Sequence, residues 1–135
     1  MSITRQYSSS YQFVRNPPGA QGHTIARPWA EVVLRNGGQQ HRTWCVVDTG
    51  ADFTLMSRGA AGLIGIKPDT LPPLQVNTAS GKTTHRLARN LTLEIAGVSI
   101  KADVLFGMIS VPLLGRPAML AAMEVGFDAT HWHLV

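Results

Sequence analysis

The chain has 135 residues, a formal net charge of +4 and a single cysteine, Cys45. That length holds one domain, and one cysteine excludes a disulfide framework or a multi-cysteine metal centre. Apolar residues at 44% and charged residues at 15% supply a core and exclude a disordered chain.

Residues 1–21 are polar and Ser-rich and end in Asn16-Pro17-Pro18-Gly19. They read as a flexible N-terminal arm with one short strand around Tyr11 to Val14. The domain proper is expected over 22–135. Trp29 to Leu34 is apolar and β-branched, Asn36-Gly37-Gly38 is a turn signal, and Thr43 to Val47 follows. That is strand, hairpin turn, strand. The second strand is apolar on both faces and belongs deep in the fold. It runs directly into Asp48-Thr49-Gly50-Ala51-Asp52. A carboxylate at the end of such a strand is costly unless it is paired or hydrogen-bonded, which makes Asp48 the most informative residue in the chain.

Phe53 to Met56 reads as a further strand and Ser57 to Ile64 as one or two helical turns, weakened by Gly59 and Gly62. Lys67 to Pro73 is a loop with three prolines. Leu74 to Thr78 and Thr83 to Leu87 flank Ala79-Ser80-Gly81-Lys82 as a second hairpin. Leu91, Leu93 and Ile95 alternate on one strand face, and Ala96-Gly97 turns the chain into Val98 to Leu105. Val111 to Leu114 is apolar and ends at Gly115-Arg116-Pro117, where Pro117 suits the first turn of a helix running to about Met123. Val125 to Asp128 and His131 to Val135 read as two closing strands. About nine short strands, little helix and a turn every 8–12 residues predict an all-β sandwich or closed barrel.

The segment Val46-Val47-Asp48-Thr49-Gly50-Ala51 resembles the active-site signature of the aspartic proteases. Leu113-Leu114-Gly115-Arg116 matches the family's second element, two hydrophobic residues followed by Gly and commonly Arg. The hairpin from Thr78 to Thr84 lies between the two, where the family has its flap. Asp52 matches the retroviral pattern Asp-Thr-Gly-Ala-Asp. The chain is therefore similar to the retropepsin-like aspartic proteases, of the cellular and bacterial branch, from about Ile25 to Val135. The resemblance implies a retropepsin-like closed barrel or sandwich of short strands with one short C-terminal helix, working as a homodimer.

The chemistry explains the residue types. Hydrolysis of a peptide bond without metal or covalent nucleophile needs an activated water and an acid to polarise the carbonyl. Two carboxylates sharing one proton do both. The chain has one aspartate in that setting: Asp69 is followed by Thr70 but then by Leu71, and Asp128 by Ala129. The second Asp48 must come from a second copy of the chain. The resemblance further implies that Thr49 ties the two active-site loops together, that the Gly50 carbonyl contacts substrate, and that Asp52 pairs with Arg116 beneath the site. A bidentate fork is the contact expected for that pair. Ala51 stands where many cellular relatives have Ser. Ala79, Ser80, Gly81 and Lys82 form the flap tip, short and polar. Trp132 to Val135 falls where retropepsins interleave chain ends into a dimer sheet.

The expected activity is thus an aspartic endopeptidase acting on peptides or proteins, with no cofactor and no metal. The alternative is a peptide-binding or dimerisation module on the same fold with little proteolysis. His131 and His133 share a strand face at metal-binding spacing, with no third ligand near in sequence. The pI of 9.8 is the sole pointer to nucleic acid. The basic residues are scattered, so no nucleic-acid partner is expected. No run reaches the ~18 apolar residues of a membrane span, since Val104 to Gly115 is broken by Ser110 and Pro112. The first residues carry no hydrophobic leader, so a cytoplasmic location is expected.

Overall fold

A computed structural model describes residues 9–14, 26–78, 81–120, 125–127 and 131–134. Their strands, in chain order, are β1 (Ser9–Gln12), β2 (Trp29–Asn36), β3 (Gln39–Asp48), β4 (Thr54–Ser57), β5 (Pro73–Thr78), β6 (Gly81–Ile95), β7 (Val98–Gly107), β8 (Leu113–Gly115), β9 (Val125–Phe127) and β10 (His131–Leu134). Among the described residues two short helices, α1 (Arg58–Leu63) and α2 (Arg116–Leu120), accompany one 3-10 turn at Pro68–Thr70. The helix expected to run to Met123 is described as far as Leu120.

Seven strands form one sheet in the order β2-β3-β8-β4-β7-β6-β5, and β6 also pairs with β2. The second pairing, from Val32 opposite Ile95 to Arg35 opposite Thr92, closes six strands into a barrel. β5 hangs outside the closure with β6 as its partner. The barrel interior follows from the two-residue period of the strands. Val32 and Leu34 on β2, Leu93 on β6, Val104 and Phe106 on β7 are all fully buried. Met56 of β4, Cys45 of β3 and Leu114 of β8 fill the same core. α1 starts at Ser57, whose hydroxyl accepts from the Ala60 N–H at 3.2 Å. The helix lays Ala60 and Ala61 against the core.

One feature departs from the sequence reading. Thr83–Leu87 and Leu91–Ile95 are parts of one 15-residue strand, β6. A bulge between Ala88 and Leu91 interrupts its register with β7. Asn90 takes φ +60° there, and its N–H donates to Asp103 Oδ1 at 3.1 Å. The polar pair Arg89-Asn90 breaks the alternation without ending the strand. At the C-terminal end the two expected closing strands form as β9 and β10. β10 lies between β1 and β9 in a three-stranded antiparallel sheet, so both of its edges are taken by strands of its own chain. Trp132 at its centre is buried. The remainder of the expected arm over 1–21 falls largely outside the described residues.

Candidate active site

β3 carries its apolar run, with Cys45 and Val47 buried, to the end of the barrel and stops at Asp48. β8 runs parallel beside it, with Val46 opposite Leu113, Val47 opposite Leu114 and Asp48 opposite Gly115. Parallel pairing brings the two sequence motifs, 67 residues apart, to the same level of the same barrel end. The backbone then turns sharply. The Ala51 N–H donates to the Asp48 carbonyl at 3.2 Å, and the Gly50 N–H donates to the Asp48 carboxylate at 2.9 Å. The carboxylate is thereby held by its own loop, which meets part of the desolvation cost of its half-buried position. A Cβ on Gly50 would stand 3.3 Å from that carboxylate oxygen, so glycine keeps the space beside it open.

Arg116 holds the loop from below by three contacts. Its N–H donates to the Ala51 carbonyl at 2.9 Å. One guanidinium nitrogen reaches Asp52 Oδ1 at 2.8 Å and the other the Thr49 carbonyl at 3.4 Å. The Asp52–Arg116 pair expected from sequence is present, but not as a bidentate fork. The guanidinium spans from carboxylate to carbonyl because α2 begins at Arg116, directly under the turn. Both side chains are largely exposed, 47% for Arg116 and 77% for Asp52. Their value is therefore placement of the loop more than stability.

Two residues that the sequence reading did not single out support this floor. Thr54 is buried at 1% exposure, and its hydroxyl accepts from the Gly115 N–H at 3.0 Å. A buried threonine hydroxyl inside the apolar stretch Phe53 to Met56 requires a partner, and that requirement was the available signal. Gly115 in turn lies against the backbone of Phe53: a Cβ there would overlap the Phe53 carbonyl and stand 2.8 Å from the Thr54 nitrogen. The close approach of β8 to the Phe53–Thr54 backbone needs the absence of a side chain.

Asp48, Thr49, Gly50, Ala51, Asp52, Gly115 and Arg116 thus gather in one constellation at the end of the barrel. Thr49 and Gly50 are exposed. Of the proposed flap tip, Ala79 and Ser80 lie outside the described residues. Gly81, at φ +119°, and the exposed Lys82 begin β6 as partners of Thr78 and Asn77. Elsewhere, His131 and His133 stack with ring centroids 6.3 Å apart, and among the described residues no group of three metal-ligating side chains gathers. Burial pushes the Cys45 thiol up to about 12, which makes it an inert core group. Among the described residues no helix is long and apolar enough to cross a membrane.

A family model described as aspartyl protease matches residues 19–118. No curated protein matches the chain. The matched span takes in β2 through most of α2, including both motifs. The chain belongs to the aspartyl protease family.

Proposed function

We propose that the protein is an aspartic endopeptidase of retropepsin type, built from two copies of this chain that each contribute Asp48 to one dyad. The observation that carries the reading is the single Asp-Thr-Gly aspartate, held by the Gly50 N–H at the level of Gly115 on a barrel end whose loop is exposed. One carboxylate cannot both take a proton from water and donate one to a carbonyl. Two related by a two-fold axis can share a proton and exchange roles during the reaction.

In this reading the Asp48 pair takes a proton from the bound water, which attacks the scissile carbonyl. The shared proton passes to the carbonyl oxygen, and the gem-diol collapses as the amine leaves with a proton. Thr49 links the two loops across the axis, and Gly50 offers backbone to an extended substrate. Asp52 and Arg116 fix the loop. The β5–β6 hairpin, with Gly81 and Lys82 at its described end, serves as the flap. Because β10 is flanked on both sides, a partner adds at an outer edge of the small sheet or at the active-site loops, and not beside β10.

The test is cleavage of a mixed peptide library by the wild type and by Asp48→Asn, with folding checked by circular dichroism. Wild-type cleavage lost in the variant supports the reading. Equal cleavage by both overturns the mechanism, and none by either favours a binding module.

A further inference from the structure

We propose that His85 is a protonation-controlled latch at the root of the β5–β6 hairpin, seating the hairpin on the barrel when neutral and releasing it in mild acid. The inference rests on the geometry of the hairpin and goes beyond the proteolytic reading.

His85 occupies the junction between hairpin and barrel. The register of β6 with β7 starts at Arg86 opposite Phe106, whereas Gly81 to His85 pair with β5. β5 in turn has β6 as its strand partner. The hairpin is thus joined to the barrel along one strand, and His85, opposite Leu74, is its last residue before the barrel begins. His85 as a whole is 3% exposed. It lies on the backbone of Gly107, where any Cβ would overlap the ring. Its Nδ1 is buried and has no hydrogen-bond partner among the described residues.

A neutral ring tolerates one unpaired acceptor nitrogen. An imidazolium would put a charge and a second N–H in the same dry place, with nothing to accept it. The surrounding charges offer no relief. On its own strand the neighbours are Lys82 and Arg86, the latter donating to the Leu71 carbonyl at 3.1 Å. β5 and β4 carry no charged residue. On β7, Lys101 and Asp103 lie four or more residues before Gly107, and Asp103 is already held by Arg89 at 3.1 Å. α1 contributes Arg58, which binds Asp69 of the 3-10 turn at 2.7 Å, and Lys67 precedes that turn. Burial accordingly holds His85 below its ordinary value of 6.5. The proton can be accepted once the ring swings out from Gly107, and the one-sided attachment of the hairpin allows that movement.

Hydrogen exchange of the full chain, read by mass spectrometry between pH 7.5 and 5.0 and corrected for intrinsic rates, tests the latch. Linkage allows the open population to rise as much as about tenfold per pH unit between 6.5 and the lowered value. Peptides covering Pro73 to His85 should progressively lose protection as the pH falls below 6.5, while peptides from β2 and β3 keep theirs. His85→Phe and His85→Gln should both show a flat hairpin profile. Flat wild-type hairpin protection, simultaneous loss in hairpin and barrel, or an unchanged acid response in a folded variant overturns the proposal. Should neither variant fold, the wild-type imidazole titration followed by NMR decides. A midpoint below 6.5 that coincides with hairpin opening supports the latch, and one at or above 6.5 overturns it.

Discussion

The Arg116 guanidinium donates to the Thr49 carbonyl at 3.4 Å while also holding Asp52 at 2.8 Å. It therefore braces the loop on both sides of Gly50. A lysine ammonium is a point donor and cannot span the two acceptors. Arg116→Lys is expected to lower kcat/KM by about tenfold, a transition-state loss of roughly 1.4 kcal/mol. Because the ion pair is exposed, stability should change by less than about 1 kcal/mol. Steady-state kinetics beside thermal melts check this, and wild-type values in both would reduce the contact to two neighbouring charges.

Gly50 and Gly115 are predicted to fail differently when given a methyl group. At Gly50 the new Cβ meets one side-chain carboxylate oxygen at 3.3 Å, which can turn aside only by giving up its Gly50 N–H contact. Gly50→Ala should therefore fold while losing activity through a displaced Asp48. At Gly115 the Cβ would meet the Phe53–Thr54 backbone, which cannot rotate away. Gly115→Ala should lose about 3 kcal/mol of stability or fail to fold. Denaturant melts of the two variants distinguish the cases, and a Gly115→Ala variant as stable as wild type would contradict the described packing.

Thr54→Val removes the acceptor from the buried Gly115 N–H without changing side-chain volume much. The unpaired donor should cost about 1–3 kcal/mol. Thr54→Ser, which keeps the hydroxyl, should recover part of it. Equal stability of Val and wild type would mean that the 3.0 Å contact contributes nothing.

Ala96 and Gly97 both take positive φ, +51° and +81°, at the turn between β6 and β7. That turn favours Asn-Gly, because alanine is strained in the left-handed region. Ala96→Asn is predicted to raise stability by about 0.5–1 kcal/mol, seen as a few degrees in Tm, with catalysis unchanged. A lowered Tm would contradict the described backbone.

Alkaline pH should weaken the fold through Cys45. Its thiol is raised from 9.0 to about 12 by burial, so the folded chain keeps a proton that the unfolded chain releases. The sign is fixed: the contribution is fully present below pH 9 and is lost as pH rises toward 12, by up to about 1.4 kcal/mol per unit. Denaturant stability measured from pH 8 to 10.5 should fall less steeply for Cys45→Ala than for wild type. Parallel slopes would show that the thiol does not carry this dependence.

Much of the fold could be read locally because it follows from local pattern. The two-residue alternation of Leu91, Leu93 and Ile95 and the Asn36-Gly37-Gly38 and Ala96-Gly97 turns all act within a few residues. Closure of the barrel by β2 on β6 joins residues some sixty positions apart, and no local signal states which strand β2 takes as its second neighbour. The bulge at Asn90 disguised one long strand as two, since a polar pair in mid-strand looks like a turn until the partner strand is known. At the candidate site, the residue types of Asp48 and its loop pointed to the family. The supports from Thr54 and from the Arg116–Thr49 contact became visible only when parallel pairing set β8 beside β3.

The proposed dyad is tested most directly by mixing subunits. Wild type and Asp48→Asn are co-refolded in varying ratio at constant total protein, so that copies pair at random, and peptide cleavage is measured. If each site needs two Asp48 carboxylates, only wild-type pairs are active. Activity then follows the square of the wild-type fraction, leaving about a quarter at an equal mixture. A linear decline, with about half remaining at that point, is the outcome for chains that act alone, and it would contradict the shared site.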